Sequence, residues 1–309
     1  MNVLRVPTFL LRICLLFAMG LLLSCDKKKP EESSEAAIDT LAVIAENAEQ
    51  SEDYTFSNEY LISYKDFIDH LDPIKVENIQ IATDKFKSVF KGADPATCDS
   101  AYYIFEGYYT LTDDRINDTH SNDTTNFEAF MVNDGVLSEK LKKYQAALNA
   151  NGFRIASTEG TTYIEKDRSF VKDNFYTYLT PVMVQYLDEI SKENDEGYWA
   201  DGGLIVSPTI LVDRIIWWEF FTKQNPRFIF KNMPNLKQEL YMRSLVTGED
   251  NTPLYDDEEK MELSGYFKEA YEYLFSRQGN SRAASDLRPY YDALIKKDTA
   301  VINKFQRAL

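Results

Sequence analysis

The sequence is poor in the residues that most often carry metal or redox chemistry. Its 309 residues include three cysteines and two histidines, His70 and His120. Two histidines exclude a three-histidine zinc site, and no HExxH pair occurs. Cys14 lies within an apolar leader and Cys25 at its end, which leaves Cys98 as a buried structural thiol without an intramolecular disulfide partner. We expect neither a metal nor a cofactor.

Positive charge is also scarce. The chain carries 34 basic against 50 acidic side chains, a net charge of −16. An acidic surface repels phosphate backbones, and no cluster of lysine and arginine with interleaved aromatic residues offsets that repulsion. No phosphate-binding loop, nucleophile elbow or dinucleotide fingerprint occurs either. We therefore expect no nucleic-acid partner.

Apolar runs are too short to cross a bilayer. The longest, Ile13–Leu23, follows two arginines and is about half the roughly 20 residues that a membrane span needs. This is the pattern of a signal peptide over residues 1–24. Its end, "LLSC" at residues 22–25, resembles the lipobox of bacterial lipoproteins. The resemblance implies cleavage before Cys25, acylation of that cysteine by chains such as palmitate, and attachment to a membrane of the bacterial cell envelope after export.

Residues 25–56 are interpreted as the lipidated cysteine followed by a flexible tether. The segment is polar and charged and has one short apolar island. A tether of this length reaches roughly 30 Å. Asp26 resembles the inner-membrane retention signal of enteric lipoproteins, whereas the lysines and acids after it resemble surface-export signals of Bacteroidetes lipoproteins. The membrane and the face therefore stay open.

Residues 57–309 are predicted to form a mainly α domain of about ten helices with one β-hairpin insertion near 153–167. Apolar residues recur at helical spacing through most of this region, whereas β-branched and aromatic residues flank a Glu-Gly turn in the hairpin. Ser207-Pro208 is a helix start signal. The helix it opens is apolar on nearly all sides, so we expect it to be buried at the centre, with partners for its internal Asp213, Arg214 and Glu219.

Finer expectations concern the ends of several elements. The polar run 113–126 predicts a loop, and residues 127–150 predict a helix that stops at Asn151-Gly152. Asp256 and Glu259 have the spacing of a capping box that opens a helix. A last helix is expected over 285–308. Just before it, "YEYLFSRQGNSRAASDLRPYY" is similar to the helix–turn–helix of tetratricopeptide-type lipoproteins, which implies a helical pair there.

The best candidate for a ligand site is "NDEGYWADGGL", residues 194–204. It gathers Glu196, Tyr198, Trp199 and Asp201 in a glycine-containing segment. Sugar-binding sites use such groups, because a ring face covers the apolar side of a pyranose and carboxylates bind its hydroxyls. The alternative is a plain connection whose two aromatic rings fill the core while the acids stay in solvent.

Two functions follow from these observations. The sequence favours a non-catalytic binding or scaffold domain for a protein or glycan partner, held at an envelope membrane. The alternative is a glycan-acting envelope hydrolase with a carboxylate pair as acid and base. The pair would be drawn from Glu159, Glu196, Asp201 and Asp213, and the hydrolase requires that two of them meet in one pocket. The hairpin acids Glu165 and Asp167 are expected on the solvated face of the hairpin. The oxygens of the acidic segment 248–260 could hold calcium, but their spacing is not that of an EF-hand loop, and helix capping accounts for Asp256 and Glu259.

Overall fold

The fold is mainly α, as the sequence predicts. The computed structural model describes residues 58–308 except 124, 126, 133–135 and 159. These residues form eleven α-helices and a 3-10 turn at Glu128–Phe130. The helices are α1 (Glu59–Asp69), α2 (Asn78–Val89), α3 (Pro95–Asn122), α4 (Glu139–Ala150), α5 (Arg168–Phe175), α6 (Pro181–Glu196), α7 (Pro208–Gln224), α8 (Asn232–Thr247), α9 (Gly265–Arg277), α10 (Arg282–Lys296) and α11 (Thr299–Gln306).

The strands form four separate two-stranded antiparallel hairpins. They are β1 (Phe153–Thr158) with β2 (Thr161–Lys166), β3 (Trp199–Ala200) with β4 (Gly203–Leu204), β5 (Gly248–Glu249) with β6 (Thr252–Pro253), and β7 (Tyr255–Asp257) with β8 (Glu262–Leu263). The first is the predicted hairpin, in a register that pairs Arg154 with Glu165. The other three are short, and the sequence pattern does not predict them.

Helix α7 is the centre of the core, as expected. The Ser207 side chain accepts a hydrogen bond from the backbone N–H of Ile210, and Pro208 occupies the first turn. Ile215 and Trp218 are completely buried. The helix packs against α8, α9 and α10, so apolar residues are required on nearly every side of it.

The charged residues Asp213, Arg214 and Glu219 inside α7 each have at least one hydrogen-bond partner, which confirms the requirement stated from the sequence. The Glu219 carboxylate accepts hydrogen bonds from the backbone N–H groups of Arg282, at 2.7 Å, and Ala283, at 2.8 Å. Those groups open α10, where the first N–H groups of a helix have no partner within the helix. Asp213 reaches the surface and accepts a hydrogen bond from the Tyr273 hydroxyl at 3.0 Å. Arg214 belongs to the candidate site below.

The predicted loop at 113–126 is wrong, because α3 continues through its polar sequence to Asn122. An inward row of Thr112, Ile116 and His120 is buried at helical spacing. The Asn117 amide also donates to the backbone oxygen of Ile164 and accepts from its N–H, both at 2.8 Å. A few inward contacts to β2 are enough to hold the helix, while the other polar residues of this end are exposed or only half-buried. The predicted helix over 127–150 begins only at Glu139, and Gly152, with φ of 79°, follows its end.

The capping box at Asp256 and Glu259 is also wrong. Asp256 lies in β7, and the next helix begins at Gly265 with Ser264 as its N-cap. The Asp257 carboxylate instead accepts the backbone N–H of Lys260 within the β7–β8 turn. A turn and a helix start both satisfy N–H groups with a nearby acidic side chain, so the local pattern does not separate them.

The expected last helix is divided in two. Lys297 has a φ of 58°, which breaks the helix, and the Asp298 side chain then accepts from the N–H of Val301 to open α11. Helices α9 and α10 form the helical pair expected from residues 271–291.

Candidate functional site

Two of the four predicted site residues are hydrogen-bonded to the neighbouring helices α7 and α8. The Glu196 carboxylate accepts a hydrogen bond from Arg214 Nη2 at 3.0 Å. The Tyr198 hydroxyl donates to Ser244 Oγ at 2.5 Å, and its ring lies edge-on to Tyr241 at 4.9 Å between centroids. Both side chains therefore take part in the packing between α6, α7 and α8.

The other two lie at the tip of the β3–β4 hairpin. Trp199 is 47% exposed, and its side chain forms a hydrogen bond with Glu249. Asp201 is exposed with a φ of 48°, and its carbonyl accepts a hydrogen bond from the Asn251 amide. The Trp199 ring is therefore half-exposed and fixed by its bond to Glu249, and it lies apart from Glu196 and Tyr198.

The carboxylates proposed for the hydrolase occupy different surroundings. Asp213 binds Tyr273 on α9, Asp201 lies at a hairpin tip, and Glu196 is paired with Arg214. Glu159 lies outside the described residues. Two grooves on the described surface are lined by residues other than Glu196, Asp201 and Asp213.

A polar groove of about 410 Å³ brings together a different set of charged residues. It lies between α3, β2 and α5 on one side and α6, α7 and α8 on the other, and we call it the charged groove. Its charged lining residues are Asp113, Glu165, Lys166, Arg168, Glu193, Arg214 and Lys237. The predicted segment 194–204 borders it at Asn194, Gly197 and Tyr198.

The first wall is organised around Glu106 of α3. Its carboxylate accepts hydrogen bonds from Lys166 Nζ at 3.1 Å, Arg168 Nη1 at 3.0 Å and the Tyr102 hydroxyl at 2.7 Å. The Glu106 side chain is only 14% exposed. Burial by itself would raise the pKa of Glu106, but the charges of Arg168 and Lys166 lower it to about 2. Glu106 is therefore a fixed anion that holds two cations at the groove.

Asp113 lies two helical turns further along α3, and its pKa is shifted in the opposite direction. Burial raises the pKa of Asp113 to about 6, although Lys166 acts to lower it. Its carboxyl group therefore changes charge near neutral pH, unlike that of Glu106.

We expect the substitution Asp113→Asn to change the free energy of unfolding, relative to the wild type, more favourably at pH 7.5 than at pH 4.5. An acid with a raised folded-state pKa adds stability below its unfolded pKa, and that stability is lost as the pH rises through about 6. Because Asp113 is partly exposed, we expect a relative gain of roughly 1–2 kcal/mol, measured by urea unfolding at both values. Asp84→Asn, on the exposed face of α2, is the control and should change stability by at most about 0.5 kcal/mol. An equal effect of Asp113→Asn at both pH values would contradict this role.

The second wall is organised around Glu193 of α6. This buried carboxylate accepts hydrogen bonds from Trp218 Nε1 at 2.6 Å, the Tyr241 hydroxyl at 2.6 Å and Lys237 Nζ at 3.0 Å. These donors come from α7 and α8, so Glu193 links three helices. Two neutral donors and one charged donor together fix the position of this carboxylate on the second wall.

Arg214 of α7 connects that helix to the C-terminal end of α6. Its side chain is 1% exposed, and its guanidinium carbon lies 5.5 Å from the centroid of the Tyr241 ring. Nη2 donates to Glu196 and, at 2.7 Å, to the carbonyl of Gly197. Nε and Nη1 are buried and have no hydrogen-bond partner among the described residues. Arg168 Nε, on the first wall, is in the same condition.

Three buried cationic N–H positions without acceptors are a cost to the folded protein. Each unsatisfied buried polar group costs about 1–3 kcal/mol, and more when it is charged. An acceptor oxygen that reaches these N–H groups from the charged groove would remove that cost. The arrangement is therefore suited to binding an oxygen-rich group.

Sequence reasoning missed most of this groove. Lys166, Arg168 and Lys237 lie in ordinary amphipathic segments, and their anionic partners are distant in sequence. Arg214 did carry a signal, because it interrupts an otherwise apolar helix. Its partner Glu196 lies in the segment that was selected as the candidate site.

The chain matches none of the known protein-family models, and no significant similarity to a curated protein or to a solved structure was found. None of the described helices is long and apolar enough to span a membrane. The described residues contain no group of three or more histidine, cysteine, aspartate or glutamate side chains arranged to hold a metal ion.

Proposed function

We propose that this chain is an envelope lipoprotein, anchored through Cys25, whose helical domain is a non-catalytic binding module for a glycan or protein partner. The leader, the lipobox-like end and the polar tether support the anchor. The charged groove is the binding site. The observation that carries this proposal is Arg214, which is almost fully buried at the groove and yet only partly hydrogen-bonded.

Two groove carboxylates have bonding patterns that favour a binding role. Glu193 is bonded to three donors, and Glu165 is bonded to Arg154 Nε at 2.6 Å. Both carboxylates are thus held in place by donors of the protein itself. They remain good acceptors for ligand hydroxyl and amide groups.

A hydrolase is the second candidate, on the basis of Asp113. Its pKa of about 6 suits a general acid, and Glu193 lines the same groove as a second carboxyl group. This pair differs from the pairs proposed from the sequence. It gives the hydrolase a concrete form that an assay can exclude.

The two functions are separated by an assay on glycan extracted from the native cell envelope. We expect immobilised mature protein to retain part of the glycan and to release no reducing ends beyond a heat-denatured control. Retention should fall for Arg214→Lys and stay unchanged for Arg282→Lys, whose side chain is 83% exposed. Release of reducing ends by the wild type that is lost in Asp113→Asn would contradict the binding function and support the hydrolase.

A further inference from the structure

The unpartnered donors of the charged groove are all guanidinium N–H groups. Arg214 Nε and Nη1 and Arg168 Nε are buried in the described residues without an acceptor. A guanidinium is permanently charged, and each of its N–H groups can donate to one oxygen of a carboxylate. Charge-assisted hydrogen bonds of this kind are roughly twice as strong as neutral ones. The chemistry of the donors therefore favours an anionic oxygen group over a neutral hydroxyl.

The charge balance of the groove limits how much negative charge the ligand carries. Glu106 and Glu193 each bind a lysine of the groove, and Glu106 binds Arg168 as well. Arg214 is paired with Glu196. The cations are thus largely neutralised, so a dianion or a polyanion would meet repulsion from these carboxylates. A ligand with a single negative charge meets less of that repulsion than a dianion does, and it can accept from the unpartnered N–H groups.

Three other polar side chains of the groove are suited to hydrogen bonding with hydroxyl groups. Asp113 and Glu165 add carboxylate acceptors, and Asn194 offers both a donor and an acceptor. Sugar hydroxyls are donors and acceptors at once, so they match such a mixture. The volume of about 410 Å³ lies within the roughly 300–1,000 Å³ of small-molecule sites.

We infer that the charged groove binds a sugar residue that carries one carboxylate, with Arg214 and Arg168 binding the carboxylate and the acidic rim binding the hydroxyls. This inference rests on the proposed function, in which the groove is the binding site. It adds the chemical class of the ligand: a uronic-acid-type residue of an acidic glycan.

Binding is expected to strengthen as the pH falls below about 6. Protonation of Asp113 removes a negative charge from the groove, while a uronic acid stays ionised. The charged groups that face Asp113 are Glu106 and Asp114 of α3, Lys166 of β2 and Arg168 of α5. Of these groups Glu106 stays an anion, because its pKa is about 2.

The test is calorimetric titration of the full mature chain with three probes: D-glucuronate, D-glucose and inorganic phosphate. Glucuronate and glucose differ only in the carboxylate. We expect the dissociation constant for glucuronate to be at least about tenfold lower than for glucose or phosphate. Affinity for glucuronate should rise severalfold from pH 7.5 to pH 5.5, and Asp113→Asn should remove that rise.

Two variants locate the carboxylate. Arg168→Lys and Arg214→Lys keep the charge but remove the unpartnered guanidinium N–H groups, so each should weaken glucuronate binding about tenfold. The control Arg282→Lys should leave it unchanged. Thermal unfolding of every variant shows whether the fold is intact. If Arg214→Lys does not fold, Arg168→Lys and the three wild-type titrations still decide the outcome.

Each other outcome overturns a defined part of the proposal. Equal affinity for glucuronate and glucose, or tighter binding of phosphate, contradicts the claim that the groove selects a carboxylate. The groove would still be a binding site. Absence of binding by all three probes, with envelope glycan still retained on the immobilised protein, overturns the ligand class alone. Absence of both kinds of binding overturns the proposed function as well.

Discussion

Replacing Glu106 by glutamine is expected to lower the free energy of unfolding by about 3–5 kcal/mol. The substitution preserves volume but leaves Lys166 and Arg168, whose side chains are 11% and 15% exposed, without their shared anion. The hydroxyl of Tyr102 loses a charged acceptor at the same time. Removal of one partner from a buried ionic cluster costs far more than the net contribution of the cluster, because the remaining charges stay desolvated. Urea unfolding of the mature chain at pH 7 measures this loss.

The matched control is Glu139→Gln on α4. Glu139 is 81% exposed and pairs with Lys142 one turn along the helix. Such surface pairs contribute about 0–1 kcal/mol, so the control should change stability little. A loss below about 1 kcal/mol for Glu106→Gln would show that the first wall of the groove is not held by this carboxylate.

The destabilisation by Glu106→Gln should also depend on pH in a defined direction. A carboxyl group whose folded-state pKa is lowered, here from 4.5 to about 2, adds stability that is fully present above pH 4.5 and is lost as the pH falls. The difference between wild type and variant should therefore shrink between pH 5 and pH 3. A difference that is constant over this interval would contradict the assigned ion pairing.

Replacing Cys25 by alanine is expected to abolish membrane attachment. If Cys25 carries the acyl chains, the wild-type protein from its native cell should partition into detergent, with a mass equal to residues 25–309 plus those chains. Two or more chains anchor a protein stably, because each buried methylene contributes about 0.8 kcal/mol. The alanine variant should retain its leader or lose it elsewhere, and should carry no acyl mass. Detergent partition and intact mass spectrometry measure both properties.

Cys98→Ala is the control for this experiment. Cys98 is a free thiol that is 1% exposed, so it is not accessible for lipid attachment in the folded domain. The variant should partition like the wild type. A wild-type protein that is soluble and carries no acyl mass would contradict the anchor and favour a freely secreted protein.

Helix periodicity was sufficient to predict most of the fold. The segments of α1, α2 and α5–α8 each have a stripe of apolar residues or a clear start signal such as Ser207-Pro208, and these are local properties of the chain. The hairpin of β1 and β2 was equally local, with a Glu-Gly turn between two β-branched runs. Where the signal lies within one element, the sequence is enough.

The errors arose where distant contacts decide the structure. The polar end of α3 is helical because Asn117 binds the backbone of Ile164 in β2, 47 residues away. The Asp256 region forms a hairpin because β7 pairs with β8. No local pattern records either partner, and side chains that start helices also stabilise turns.

The candidate site could be predicted only in part from the sequence, for the same reason. The segment 194–204 borders the charged groove and supplies the partner of Arg214, but the groove also needs α3, β2, α5, α7 and α8. Glu106 and Lys166 are 60 residues apart, and Glu193 and Tyr241 are 48 apart. Side chains with such separations become one site only after the core has formed.

The most direct test of the binding groove is the NMR signal of the arginine Nε–H groups in the mature chain during titration with methyl glucuronide. We expect the Arg168 and Arg214 signals, assigned with the two Arg→Lys variants, to shift saturably while the Arg282 signal stays fixed. The glycoside should be recovered intact, with no methanol released. Fixed Arg168 and Arg214 signals at saturating ligand would contradict the groove as the binding site, and release of methanol would contradict its non-catalytic role.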